Sequence, residues 1–355
     1  LRFRRQPASG DRTLVLGYSA LQGGPVLLRK AVLLAIGTVV TLAVGVYAAF
    51  QLSPWPSVLL IRHAFANNGA EVAASIAPLV PQGIVAQRGL SYAPDDGDAL
   101  FDVFAPPDAQ GPLPAVIWVH GGGFIGGSRA ELSGYLQILA AQGFVTVAVD
   151  YSLAPGAQFP TPLRQVNAAL AHVLANAGRF DIDPQRIFIA GDSAGAQIAA
   201  QTALIISDAG YARGLGIEPG ISRDSLRGLV LYCGPYDPAT MNFDGPFAGF
   251  MRTVIWSYLG TPDPRDARVA RMAVAPHVTS AYPPVFISVG NADPLAPQST
   301  GLADALRAHG VEVDALFYPA DHVPPLDHEY QMLLTTDAGR LAFDRSAAFL
   351  KAHAN

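Results

Sequence analysis

Three runs in this chain, AVIWVH at 115–120, VTVAVD at 145–150 and PVFISVG at 284–290, are almost wholly apolar and show no alternation. A strand with one wet face alternates polar and apolar residues, so unbroken runs rich in valine and isoleucine belong to strands covered on both faces. Extending that reading, strands are expected at 85–92, 99–104, 115–119, 144–149, 186–190, 227–232, 284–289 and 312–318. Helices are expected at 130–142, 161–177, 194–208, 248–259, 299–309 and 337–352. After the first two strands the order is strand then helix, the rhythm of an α/β fold with a mostly parallel central sheet flanked by helices. With 355 residues, half of them hydrophobic and 14% charged, the chain can bury a large core. The stretch 233–282 interrupts the rhythm as a long aromatic-rich insertion, with Phe243, Phe247, Phe250, Trp256 and Tyr258, in the place a cap would occupy.

Charge and cysteine content narrow the functional classes. The net charge is −5, and no basic patch interleaved with aromatics is present, so no nucleic acid is expected as a partner. Cys233 is the only cysteine, which excludes an intramolecular disulfide and a cysteine-based zinc site.

Residues 31–50 carry no charge, and a helix of that length spans about 30 Å, the thickness of a bilayer's hydrocarbon core. Arg2, Arg4, Arg5, Arg12, Arg29 and Lys30 precede it against the single acid Asp11, and the next basic residue is Arg62. By the positive-inside rule, 1–30 is a cytoplasmic basic segment, 31–50 a single transmembrane anchor, and the rest of the chain extracytoplasmic. The alternatives are a signal peptide cleaved near Ala48 or Ala49, giving a secreted protein, and a helix of a soluble protein. Residues 51–57 read as a linker broken by Pro54 and Pro56, and 58–80 as a helix packing on the domain. That makes 51–83 a linker and helical segment ahead of the α/β domain over 84–355.

The chemistry is suggested first by AGDSAGA at 190–196, which follows the apolar RIFI and precedes an alanine-rich segment. Gly191-Asp192-Ser193-Ala194-Gly195 fits G-x-S-x-G in its required strand–turn–helix context, where the glycines allow a sharp turn that projects the serine hydroxyl. Serine needs a base to take its proton, and the resulting oxyanion needs preorganised donors. Upstream, His120-Gly121-Gly122-Gly123-Phe124 follows a buried strand, and its glycines would let backbone N–H groups approach a substrate oxygen unobstructed.

These segments, VHGGGF (119–124), VDYSLAP (149–155), GDSAGA (191–196) and NADPL (291–295), resemble the α/β-hydrolases of the hormone-sensitive-lipase-like esterase group and the neighbouring bacterial carboxylesterases. The resemblance covers about residues 84–352. It departs from the usual pattern at Ser152, Gly156 and Ala196, which bears on substrate preference. It implies an α/β-hydrolase fold and a serine carboxylesterase acting on short- to medium-chain esters, with no metal or other cofactor. It also places the acid after the next-to-last strand, at Asp293, with Asp237 and Asp321 as weaker alternatives. For the base, FYPADHVPPLDHEYQ offers His328, favoured by its spacing to the last helix and by the HEYQ segment, and His322 as the alternative. In the mechanism so implied, the N–H groups of Gly122, Gly123 and Ala194 hold the oxyanion. Phe124 and Asp192 adjoin them and are expected at the substrate pocket. An amidase or peptidase would use the same triad, and a non-catalytic interaction module could share the fold.

Overall fold

The computed structural model describes residues 24–241, 245, 247–263 and 266–354. The basic segment up to residue 23, and Phe243 in the insertion, lie outside the described residues. The chain divides into two compact units, Leu1–Ser53 and Pro54–Asn355.

Helix α1, Gly24–Leu52, is the described part of the first unit. Its stretch Val26–Leu52 is long and apolar enough to cross a membrane, and none of it is buried in the protein; a signal sequence has the same character. The hydroxyls of Thr38 and Thr41 donate to the carbonyls of Leu34 and Gly37 one turn back. These two hydroxyls are thereby satisfied within the helix, as an apolar solvent requires. It starts before residue 31 and ends only at Leu52.

The expected linker at 51–57 is correspondingly short. Helix α2, Trp55–Ile76, begins three residues after α1 ends, with Pro54 as its N-cap residue and Pro56 in its first turn. Proline there lacks an N–H that would have no helical partner anyway, so the two prolines start a helix instead of keeping a loop open.

The second unit is built on one eight-stranded sheet. Its strands are β1 (Val85–Ser91), β2 (Leu100–Ala105), β3 (Leu113–Val119), β4 (Val145–Val149), β5 (Ile182–Asp192), β6 (Leu226–Tyr232), β7 (Val285–Val289) and β8 (Val313–Phe317). Their spatial order is β1-β2-β4-β3-β5-β6-β7-β8, with β2 antiparallel to both neighbours and every pairing from β4 to β8 parallel. The helices that follow are α3 (Arg129–Ala140), α4 (Thr161–Ala175), α5 (Ala194–Ser207), α6 (Ala209–Leu215), α7 (Ala248–Leu259), α8 (Ala267–Met272), α9 (Ala296–Ala308) and α10 (Asp337–His353). Two of these, α6 and α8, were not anticipated; each is a short helix opened by an aspartate, Asp208 or Asp266, whose carboxylate caps its first N–H groups. Helix α9 starts earlier than expected because Pro297 sits in its first turn.

Alternate residues of each strand feed the two faces. Ile117, Val119, Ile189 and Leu231 pack with Val166 and Leu170 of α4 and Ala199 and Ala203 of α5. Val116, Trp118, Phe188 and Val230 pack with Leu136 and Leu139 of α3 and Leu350 of α10. The register aligns Val119 with Gly191 and Asp192 with Tyr232, so β3, β5 and β6 deliver their following loops to one edge of the sheet. Strand β3 has β4 on one side and β5 on the other, which makes that edge the switch point where the crossovers diverge and a crevice opens.

Candidate active site

At that edge the chain turns from β5 into α5 through Ser193, whose φ of 50° and ψ of −119° lie outside the conformations most residues adopt. The turn is held because Ser193 N–H donates to the Tyr232 carbonyl at 2.7 Å. Its tightness explains both flanking glycines. A Cβ on Gly195 would collide with the carbonyls of Val119 and His120, and one on Gly191 with the Gly195 backbone. The strained turn aims the serine hydroxyl outward, and Ser193 Oγ lies 2.9 Å from Nε2 of His328. On the other side of the ring, His328 Nδ1 is 2.8 Å from Oδ2 of Asp293.

Asp293 follows β7, with its side chain fully buried, and its other oxygen accepts from Leu295 N–H at 2.7 Å. His328 lies on the loop after β8, and that loop is tied to the aspartate's loop. Asn291 Oδ1 accepts from Leu326 N–H at 2.9 Å, Asn291 Nδ2 donates to the His322 carbonyl at 3.2 Å, and Ala292 N–H donates to the Leu326 carbonyl at 3.0 Å. Of the two candidate histidines, only His328 meets the serine. The ring of His322 lies against Tyr318, with centroids 4.6 Å apart. Asp237 caps a turn by accepting from Ala239 N–H, and Asp321 is exposed.

Burial works against a charged imidazole at His328. The Cys233 sulfur and the Asp293 carboxylate beside it outweigh that effect, and its pKa stands well above the usual histidine value. Cys233 is itself deeply buried, which pushes its thiol up to about 11. Cys233, Asp293 and His328 bring metal-ligand atoms within 4.8 Å of one another. Both imidazole nitrogens are engaged and the thiol keeps its proton, however, so the trio offers a cation little beyond a carboxylate.

The glycine loop after β3 forms the facing wall. Gly122 and Gly123 have φ of 98° and 61°. Among the described residues, no group accepts the N–H of Gly122, Gly123 or Ala194. Gly121 N–H, in contrast, donates to Asp192 Oδ2 at 2.8 Å, while Trp118 Nε1 donates to Asp192 Oδ1 at 2.7 Å. Asp192 therefore borders the cavity with both oxygens taken, tying the glycine loop to β5 and β3. Burial, and next the charge of Glu329, push its carboxyl up to about 7. The loop is braced further by Tyr151, whose hydroxyl donates to the His120 carbonyl at 3.0 Å and whose ring stacks on His120. Arg62 of α2 also reaches it, donating to the carbonyls of Ile125 and Ala154.

Phe124 is a correction. It is fully buried and stacks on Tyr258 with centroids 3.9 Å apart, away from the cavity. Its own φ of 61° turns the ring beneath the loop and into the core. The cavity beside Ser193 has a volume of about 390 Å³, and its apolar wall comes from Phe65 of α2 with Phe247 and Phe250 at α7. Of the aromatics expected over the site, these two from the insertion border the cavity, while Tyr258 belongs to the core and Trp256 is half-buried.

The sequence matches the family described as the alpha/beta hydrolase fold over residues 116–323. This chain belongs to that family. Among curated relatives, it is 31% identical over 284 residues to carboxylesterase NlhH of Mycobacterium tuberculosis, covering 77% of this chain and 84% of the relative. It is 32% identical over 231 residues to esterase LipC of the same species, covering 63% of this chain and 56% of that one. Among solved structures, esterase B from Lactobacillus rhamnosis superposes with a TM-score of 0.71 at 21% identity, covering 83% of this chain and 95% of that one, a likeness of fold.

Within this α/β-hydrolase frame, the sequence reading missed Phe65, Arg62, Asn291 and Glu329. Phe65 and Arg62 lie on the helix expected over 58–80, where the sequence indicates only packing on the domain. Asn291 gave a signal in NADPL, two residues before the aspartate, but a turn alone would explain an asparagine there.

Proposed function

We propose that this protein is a serine carboxylesterase that hydrolyses short- to medium-chain carboxylic esters through an acyl-enzyme. The observation that carries the reading is the unbroken hydrogen-bond chain Ser193–His328–Asp293 beside three unclaimed backbone N–H groups. Ser193 Oγ attacks the ester carbonyl as His328 Nε2 accepts its proton, and the buried Asp293 fixes the tautomer and stabilises the imidazolium. The N–H groups of Gly122, Gly123 and Ala194 receive the oxyanion, a contribution for which one lost donor costs about 10²–10³ in turnover. Collapse breaks the C–O bond, and His328 returns the proton to the departing alcohol. Water then attacks the acyl-serine with His328 again accepting the proton, and the carboxylic acid leaves. The chain's own residues supply every proton transfer.

The cavity volume suits an acyl chain of a few carbons, and curated relatives named carboxylesterase and esterase favour esters over amides. Residues 31–50, inside the exposed apolar helix α1, serve in this reading as a single-pass anchor, with the N-terminus cytoplasmic and the hydrolase domain extracytoplasmic. The test is hydrolysis of p-nitrophenyl esters from acetate to laurate by the full chain and by Ser193→Ala. Turnover that peaks at short to medium chains and vanishes in the variant supports the proposal. A folded parent that cleaves none of them refutes it.

A further inference from the structure

Glu329, the residue after the proposed base, has the left-handed φ of 61° that glycine or asparagine adopts with least strain. The turn itself explains the backbone. It returns the chain to the core, where Tyr330 shares a hydrogen bond with Ser288 Oγ at 2.7 Å and Gln331 Nε2 donates to the Ser288 carbonyl at 3.0 Å. The turn does not explain a glutamate side chain. Its carboxylate extends into the cavity, with Oε1 3.9 Å from His328 Nε2 and close over Gly121, the first glycine of the loop. Among the described residues, no donor hydrogen-bonds to it, and no lysine or arginine borders the cavity. Glu131, on the same wall, has its carboxyl raised by burial and also by the charge of Glu329. Phe65, Phe247 and Phe250 also border the cavity, and aromatic faces attract cations.

The Glu329 carboxylate lies 3.9 Å from the His328 nitrogen that takes the serine proton, so its charge acts on any charged group of a substrate held beside the scissile bond. We propose that Glu329 is a specificity-determining residue that makes the site select esters bearing an ammonium group near the scissile bond and reject those bearing a carboxylate. This inference rests on the esterase reading of the site and names its substrate class.

The test uses the full chain with two matched sets of esters. On the acyl side these are p-nitrophenyl butyrate, its trimethylammonium analogue and its carboxylate analogue. On the alcohol side they are butyrylcholine and its uncharged carbon isostere. The parent should favour the cationic over the neutral ester in at least one set, and the neutral over the anionic one. Glu329→Gln should reduce the cationic-to-neutral ratio of kcat/KM by about tenfold, the scale of one nearby charge pair in a partly screened site. Glu329→Asn, which tolerates the left-handed backbone, should do the same and guards against a folding artefact. Ratios that are the same in parent and both variants overturn the proposal. A second measurement separates this idea from the esterase reading. In the Ser193→Ala background, butyrylcholine and its isostere are titrated by calorimetry with and without Glu329→Gln. Should the parent hydrolyse no neutral ester, the esterase reading falls and this titration decides the selectivity. Tighter binding of the cation that Glu329→Gln removes upholds the charge selection, and equal affinities overturn it.

Discussion

Replacing Asp192 by asparagine tests whether this carboxylate holds the glycine loop in place. Both of its oxygens accept from fixed donors, Trp118 Nε1 at 2.7 Å and Gly121 N–H at 2.8 Å, at a site only 5% exposed. Asparagine has nearly the same shape but one acceptor oxygen, so its NH₂ must face one of the two N–H groups. One hydrogen bond is lost and a buried donor is stranded, at a cost of about 1–3 kcal/mol. For a domain of about 300 residues that corresponds to a Tm lower by roughly 2–5 °C. If the asparagine oxygen stays with Trp118, Gly121 is released, and the neighbouring N–H groups of Gly122 and Gly123 lose their setting. Loss of a whole oxyanion donor costs about 10²–10³, so a displaced pair should lower kcat by about ten- to a hundredfold, with a smaller change in KM. The assay pairs a thermal melt with steady-state hydrolysis of p-nitrophenyl butyrate. Parent-like kcat and Tm in Asp192→Asn would refute the idea that this carboxylate holds the loop.

Other expectations follow from the same geometry. A protonated His328 cannot accept the serine proton, and its raised pKa places the acid limb of kcat/KM above the usual histidine value, with activity falling as pH drops through it. Asp293→Asn should move that limb down and cut kcat by about 10⁴. Cys233→Ala should also move it down, because the Cys233 sulfur is one of the groups that hold the imidazole's pKa up. Asn291→Ala removes the clamp between the aspartate and histidine loops and should lower kcat several-fold more than it changes KM, as steady-state kinetics would read. A reporter fused after the last residue should be active outside the cytoplasm, and cytoplasmic activity would contradict the anchor reading.

Much of the fold was legible because its determinants are local. Unbroken runs such as VFISV encode doubly covered strands, and G-x-S-x-G between a strand and a helix encodes the turn at Ser193. What was illegible depended on backbone direction or distant contact. The string HGGGF does not reveal that Phe124 adopts a left-handed φ and dives beneath the loop to meet Tyr258. Two prolines read as a linker, though they open α2, and nothing in that helix's pattern marked Phe65 for the cavity. Spacing left His322 and His328 both open. The clamp from Asn291 holds the segment between them so that only His328 meets Ser193.

The central claim is that Ser193 is a nucleophile activated by His328. Its most direct test is to react the full chain, Ser193→Ala, His328→Ala and His322→Ala with a fluorophosphonate and map the modified peptide by mass spectrometry. The account predicts a single adduct on Ser193 in the parent and in His322→Ala, and none in the other two. An adduct on another residue, or full labelling of His328→Ala, would contradict it.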